Sequence, residues 1–335
     1  MTGARPDGTS PRSPHPLGLR PLVEAATRLL DEAGVASPRH DALAIAAHLL
    51  GRDRVDLVLP PPLPEDFAGR FAELVDRRRR REPLQHLVGS TGFRYLTLAV
   101  EPGVFVPRPE TEVVAGAAIE EAARVALDGT APVVVDLCCG SGAIAVAVAS
   151  EVPSTQVTAV DLSAQAVALT TRNAAAAGAA NLRAVPGDVS DADLLAELEG
   201  RVHVLVANPP YIPPDAEPVD PEVRDHDPDL ALYGGGPDGL DVPRAVLAAA
   251  VRLLVPGGLL VMEHAEVQAA AARAAASATG GLVDVRTEDD LTGRPRMLLA
   301  RRAGGPSVPH TGGPSVPTAQ APDGRQRLDV GDSRP

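Results

Sequence analysis

The chain has 335 residues, enough for about two domains and a sizeable core. Lys is absent, so all 31 basic residues are Arg; against 44 acids they leave a net charge of −13, which disfavours a general nucleic-acid binder with a broad basic face. Aromatic residues make up 2% and Trp is absent, so the core must rest on Ala, Val and Leu, and no aromatic platform for single-stranded nucleic acid is expected. Cys138 and Cys139 are adjacent and offer no disulfide framework. No apolar stretch approaches the length of a membrane span, and the N-terminus has no apolar signal core, so the expected location is the cytoplasm.

Residues 1–16 are rich in Pro, Gly, Ser and Arg and read as a disordered tail. Residues 304–335 have the same character and carry Gly-Gly-Pro-Ser-Val-Pro twice, at 304–309 and 312–317. Between 17 and 88 the pattern is helical. Leu22, Ala25, Ala26 and Leu29 fall at helix spacing, then Ala42, Ile45, Ala46 and Leu49, then Phe67, Phe71, Leu74 and Val75, with Pro60-Pro61-Pro62 separating two of these helices. Arg77 to Arg81 close the last one, either as a solvated helix end favoured by the macrodipole or as a partner-binding patch. Residues 89–108 read as a β-hairpin linker, with extended segments around Tyr95-Leu96 and Val100-Glu101-Pro102-Gly103.

Pro107-Arg108-Pro109-Glu110-Thr111-Glu112 then opens a helix, with proline and acid at its N-terminus. From 109 to 303 strands and helices alternate. Strands are predicted at Val133–Leu137, Gln156–Asp161, Leu182–Pro186, Val202–Ala207, Gly258–Glu263, Val283–Thr287 and near Met297–Ala300. Alternation of this kind gives a doubly wound, mainly parallel α/β sheet.

The chemistry gathers at strand ends. Val133–Leu137 runs into Cys138-Cys139-Gly140-Ser141-Gly142, where glycines allow a tight turn and close approach to a ligand. Asp161 ends the next strand, where an acid binds ribose hydroxyls, and Asp188 follows the third, near where an adenine edge would lie. These features indicate an adenosine cofactor without deciding between NAD and S-adenosylmethionine. The fourth strand decides it, because it ends in Asn208-Pro209-Pro210-Tyr211. A planar –NH2 nitrogen is a poor nucleophile, since its lone pair is delocalised. The Asn208 side-chain oxygen and the Pro209 backbone oxygen are placed to accept its two hydrogens, the prolines stiffen the turn, and Tyr211 offers a ring face. Hydride transfer has no need for such a clamp. Cys138 and Cys139 read as small packing residues, not metal ligands, and no metal site is expected. Glu263 reads equally as a pocket wall or a solvated strand end. His264 is a weak candidate for a general base. Arg224-Asp225-His226-Asp227-Pro228 reads as a salt-bridge loop in preference to a metal site.

Taken together, the chain resembles a bacterial peptide-chain release factor glutamine N5-methyltransferase over residues 17–303. The residues that carry the resemblance are Arg81-Glu82-Pro83-Leu84, Gly92-Phe93, Val106 to Glu112, Asp136 to Gly142, Asn208 to Ile212, Asp238-Gly239-Leu240-Asp241, Glu263-His264 and Asp290 to Arg296. The resemblance implies a class I S-adenosylmethionine-dependent methyltransferase domain, Rossmann-like and doubly wound, with a small N-terminal helical domain and a β-hairpin linker. It implies that S-adenosylmethionine lies over Cys138, Cys139, Gly140, Ser141 and Gly142, with Asp161 on its ribose, Asp188 and Val189 beside adenine, and Asn208 next to the methyl. Asn208, Pro209, Pro210 and Tyr211 would clamp the glutamine of a Gly-Gly-Gln motif in a class I release factor, Asn208, Pro209 and Tyr211 being catalytic. Phe105 and Pro107 would close the pocket, and the helical domain would help hold the protein substrate.

The chain departs from the commoner pattern of that family at Cys138-Cys139, Val189 and Ala265. A ribosomal-protein glutamine is the near alternative substrate. An adenine-N6 nucleic-acid methyltransferase shares the Asn-Pro-Pro-Tyr motif but is disfavoured by the acidic charge. A cofactor-binding chaperone of translation factors is disfavoured by the intact clamp.

Overall fold

The computed structural model describes residues 18–304; the two predicted tails lie outside the described residues, apart from Gly304. Four helices come first: α1 (Leu19–Glu32), α2 (Pro38–Leu49), α3 (Phe67–Arg79) and the short α4 (Leu84–Val88). They share a core of their own, in which Phe67 and Phe71 stack beside Ile45, Leu30 and Val23. In α1 the buried face is Leu19, Val23, Ala26 and Leu30, one step round from the predicted stripe, and Leu29 is exposed. Both stripes are apolar at helix spacing, so periodicity alone cannot choose between them.

A two-stranded antiparallel hairpin follows, β1 (Ser90–Phe93) and β2 (Leu96–Ala99). The turn falls earlier than the predicted segments allow: Tyr95 sits exposed in the loop and Val100 to Gly103 lie beyond the second strand. Arg94 takes the first loop position at φ +52, a place normally given to Gly. Its guanidinium is held by Glu151 at 2.7 Å.

The remainder is one layered unit: α5 (Thr111–Ala126), β3 (Val133–Leu137), α6 (Ala143–Glu151), β4 (Gln156–Asp161), α7 (Ala164–Ala176), β5 (Leu182–Pro186), β6 (Val202–Ala207), α8 (Pro221–His226), α9 (Asp229–Leu232), α10 (Asp241–Leu253), β7 (Leu254–Glu263), α11 (Ala269–Thr279), β8 (Leu282–Asp289) and β9 (Pro295–Arg302). The last three strands are longer than predicted. The seven strands stand in the order β5-β4-β3-β6-β7-β9-β8. β3 to β7 pair in parallel, and β9 joins β7 and β8 antiparallel. The inner strands are nearly continuous Val, Leu and Ala because helices cover both faces. Chain order reverses between β3 and β6, which opens a crevice at the carboxyl ends of the strands.

The arginines at the end of α3 form no free basic patch. Arg77 pairs with Glu82, Arg78 with Asp41 and Glu222, Arg79 and Arg80 with Asp76, and Arg81 with Asp220 and Glu222. Arg78 is buried and so is not a solvated helix end, while Arg79 and Arg80 stay exposed. Among the described residues no helix is long and apolar enough to cross a membrane.

Candidate functional site

A cavity of about 310 Å³ lies in the crevice. Four strand ends build its floor. Leu137 ends β3 and leads into Cys138 to Ser141, Asp161 ends β4 and leads into Leu162 and Ser163, Gly187 to Val189 follow β5, and Asn208 to Ile212 follow β6. Phe105, Pro107, Arg108 and Thr111 close it from the segment after the hairpin, and Leu230 to Tyr233 close it from the other side. Cys138, Cys139, Gly140, Ser141, Asp161, Asp188, Val189, Asn208, Pro209, Pro210, Tyr211, Phe105 and Pro107 all stand in this wall. Gly142 lies just behind it, where an added Cβ would meet Thr170 at 2.7 Å.

The turn after β3 is held from three sides. Asp161 accepts from Gly140 N–H at 2.8 Å and Ser163 N–H at 2.9 Å, one on each oxygen. Thr170 of α7 donates to the Gly140 carbonyl at 3.0 Å. Asn173 donates to the Ser141 carbonyl at 2.9 Å while its oxygen accepts from Ala99 N–H, which joins β2 to the turn. Asp136, fully buried, caps α6 from below by accepting Ala145 N–H at 3.1 Å, and burial pushes its carboxyl up to about 8. Burial likewise raises both cysteine thiols, so they are neutral packing groups.

This wall fits an adenosine-type cofactor carrying positive charge. Gly140, at φ +56, has nothing within 4 Å of the position a Cβ would take. Each Asp161 oxygen keeps a second lone pair for a ribose hydroxyl. Exposed Asp188 holds Ser190 through Oδ1, and among the described residues nothing is bonded to Oδ2, which leaves it for an exocyclic amine. The wall carries two acids, Asp161 and Asp188, and one arginine, Arg108, which pairs with Asp227 and stacks on Phe105 at 4.9 Å.

The Asn208 turn is braced on its outer side. Tyr211 and Ile212 N–H both donate to the Leu232 carbonyl, at 3.1 and 2.8 Å, and Gly234 N–H donates to Ile212. Gln268 donates to the Tyr211 and Asp238 carbonyls at 2.8 and 3.0 Å. Gly234 and Gly239 allow the close approach: a Cβ at Gly234 would stand 1.9 Å from the Gly239 oxygen, and one at Gly239 would stand 2.3 Å from that of Tyr211. Among the described residues no donor is bonded to the Pro209 carbonyl, so it is free to accept. Burial raises the Tyr211 phenol to about 12, which keeps it neutral.

Glu263 is neither a pocket wall nor a solvated strand end. It is 3% exposed, lies behind the wall, and accepts the Thr111 hydroxyl at 2.8 Å. His264 is buried outside the cavity, its Nδ1 on the Ala265 carbonyl at 2.8 Å. The 224–228 stretch is an ion-pair network, Arg224 with Asp225 and Asp227 with Arg108. Thr111, Thr170, Asn173, Gln268 and the Leu232–Gly234 segment were not legible as parts of the site. The one available signal was the density of glycine in Gly234-Gly235-Gly236 and at Gly239, which marks close backbone approach.

Comparison with known proteins adds an independent line. A family model described as the PrmC N-terminal domain matches residues 22–89, and one described as the methyltransferase small domain matches residues 99–219. A release factor glutamine methyltransferase of Streptomyces coelicolor is 49% identical over 285 residues, which cover 84% of this chain and 97% of that protein. The protein of the same name from Mycolicibacterium smegmatis is 48% identical and covers 85% of this chain and 98% of its own. That of Deinococcus radiodurans is 42% identical and covers 86% and 99%.

Proposed function

The chain belongs to the release factor glutamine methyltransferase family, and from that premise we propose that it methylates the side-chain amide nitrogen, N5, of the glutamine in the Gly-Gly-Gln motif of class I peptide-chain release factors. The enzyme is an S-adenosylmethionine-dependent methyltransferase of the class I fold. The observation that carries the finer reading is the braced Asn208-Pro209-Pro210-Tyr211 turn in the cavity wall.

S-adenosylmethionine supplies a methyl group on a sulfonium, an electrophile that needs only a well-aimed nucleophile. Asp161 and the 138–142 turn would hold it through ribose and backbone contacts. Asn208 Oδ1 and the Pro209 oxygen would accept the two N–H groups of the substrate amide. That orients the nitrogen lone pair along the line of attack and places fixed acceptors where positive charge develops. Tyr211 would lie against the amide plane, while Phe105 and Pro107 exclude water. No general base is assigned, because the nitrogen becomes acidic on attack and loses its proton afterwards.

Residues 17–88 serve in this reading as the helical substrate-holding domain, joined by the 89–108 hairpin linker to the methyltransferase domain at 109–303. No nucleic-acid substrate is proposed, and the cytoplasm is the proposed location. The test incubates release factors, large-subunit ribosomal proteins and adenine-containing DNA separately with enzyme and methyl-labelled cofactor. Label on the Gly-Gly-Gln glutamine of a release factor is the expected result. Label in DNA, or only in a ribosomal protein, refutes it.

A further inference from the structure

Three residues from distant parts of the chain meet behind the clamp. Glu263 ends β7, Thr111 opens α5, and Asn208 follows β6. The Thr111 hydroxyl lies 2.8 Å from Glu263 Oε2, and Asn208 Nδ2 lies 3.4 Å from Thr111 Oγ1. Glu263 and Thr111 are both buried, at 3% and 4% exposure, and only Thr111 and Asn208 reach the cavity wall.

We propose that Glu263 is a positioning residue for methyl transfer: acting through the Thr111 hydroxyl, it fixes the Asn208 carboxamide with its NH2 turned inward and its oxygen toward the substrate amide. The inference rests on the functional reading above.

The polarity follows from counting hydrogens. A carboxylate only accepts, so the single Thr111 hydroxyl hydrogen is committed to Glu263. Thr111 Oγ1 then has only lone pairs to offer Asn208, and only the NH2 end of the carboxamide can meet them. The reverse orientation would set two oxygens against each other with no hydrogen between. An Asn free to turn would present NH2 to the substrate –NH2 for part of the time, a donor facing donors.

The same chain of bonds reverses when Glu263 takes up a proton. It then donates to Thr111 Oγ1, whose hydrogen is released toward Asn208, and the carboxamide turns round. Burial pushes the Glu263 carboxyl up to about 7, which places the reversal within reach of ordinary conditions. The charged groups around it oppose one another: Arg296 favours the carboxylate, while Glu110 and Asp290 disfavour it. Tyr211 faces it as a neutral phenol.

The test compares wild type, Thr111→Val, Thr111→Ser and Glu263→Gln on a release-factor substrate, with cofactor affinity by calorimetry and the pH dependence of kcat. Thr111→Val is expected to lower kcat by about ten- to a hundredfold, the scale of a small misplacement at the reacting centre. Cofactor Kd should stay within about twofold, since none of these residues reaches the ribose side. Thr111→Ser should recover most of the lost rate. In wild type kcat should fall as pH drops through the Glu263 titration, and in Glu263→Gln that limb should vanish.

A readout independent of turnover is the side-chain amide signal of Asn208 in nitrogen-15 NMR spectra, identified by its loss in Asn208→Ala. It should move with pH near 7 in wild type and stay fixed in Glu263→Gln. A Thr111→Val enzyme within about twofold of wild type in kcat, or an acid limb and an Asn208 signal unchanged by Glu263→Gln, overturns the proposal. Should the wild type label no glutamine while the Asn208 signal follows Glu263, the assigned reaction fails and the coupling stands.

Discussion

The Arg78 guanidinium reaches Glu222 at 2.6 Å across 144 residues of sequence, and through it the N-terminal helices are tied to the segment that follows the Asn208 turn. Arg78 also donates to Asp41 of α2 at 2.7 Å, and its side chain is 5% exposed. Glu222 also keeps Arg81, but Asp41, itself buried, has no other cation among the described residues. Arg78→Ala should destabilise the protein by about 3–5 kcal/mol, the cost of leaving buried charge without its partner. Chemical denaturation measures it. Arg79→Ala is the control: its partner Asp76 is exposed and screened by solvent, so the loss should be far smaller.

The tie between Arg78 and Glu222 also marks the limit of what the sequence discloses. Contiguous signals were legible: the Val133–Leu137 strand running into its glycine turn, the acids at 161 and 188, and the Asn-Pro-Pro-Tyr turn all stand where local pattern placed them. The pairings that organise them were not. Thr111 meets Glu263 across 152 residues and Arg81 meets Glu222 across 141, and no local periodicity encodes such a meeting. Read alone, Arg77 to Arg81 is a charge run, because the acids that meet Arg78 and Arg81 come from α2 and the start of α8, and only Glu82 and Asp76 are local. The hairpin was displaced for a different reason. Its tight turn uses Arg94 at positive φ without glycine, and the hold that Glu151 keeps on that side chain is again non-local.

Gly234→Ala should be among the most damaging single-methyl changes in the chain. The added Cβ would fall 1.9 Å from one backbone oxygen and 2.5 Å from another, that of Pro210, and backbone cannot step aside as a side chain can. Overpacking of this kind costs about 1–3 kcal/mol, and the shift is delivered directly to the clamp. Activity should therefore fall by more than the loss of folded protein accounts for. Gly178→Ala, also at positive φ but with open space around it, should lose stability without that excess.

The stability that Glu263 and Asp136 contribute should decline as pH rises from about 4 to about 8, while His86, His203 and His264, whose imidazoles burial holds below the ordinary value, work against that decline. Burial holds Glu263 at about 7 and Asp136 at about 8, both above their values in the unfolded chain. The folded state therefore binds these protons more tightly, and the stability they contribute is present at low pH and lost as pH climbs through the folded values. Glu263→Gln should flatten the decline up to about pH 7, and Asp136→Asn the part that extends to about 8. Glu121 acts in the opposite sense. Burial opposes its charge, but Arg124 and Arg301 outweigh that and hold it at about 2, so its contribution disappears only in strong acid. Thermal melts across pH 5 to 9 would check this; an undiminished slope in both variants would contradict it.

Cys138 occupies the left-handed region at φ +61, where a side chain is strained and glycine is not. Cys138→Gly should be stabilising or neutral, with a gain of up to about 1 kcal/mol offset in part by the greater freedom of glycine in the unfolded chain. Cys139 is buried with its Sγ 3.5 Å from Thr170 Oγ1, so Cys139→Gly should lose stability. A denaturation midpoint raised or unchanged in Cys138→Gly and lowered in Cys139→Gly would separate backbone strain from packing.

Asp161→Ala should weaken S-adenosylmethionine binding by about ten- to a hundredfold, from the loss of charge-assisted hydrogen bonds. The same carboxylate accepts Gly140 N–H and Ser163 N–H, so part of the effect arises from loosening the turn rather than from the missing ribose contact. Asp161→Asn distinguishes the two. Its one remaining oxygen can keep a single backbone bond, while its NH2 must face either an N–H or a ribose hydroxyl. If the ribose contact dominates, Asn retains an intermediate affinity, since a hydroxyl can turn to accept from it. If the turn dominates, Asn gains little over Ala, because the one backbone bond its oxygen keeps is offset by an NH2 set against the other backbone N–H. Calorimetric titration of both variants gives the answer, and unchanged affinity in Asp161→Ala would remove this residue from the cofactor site.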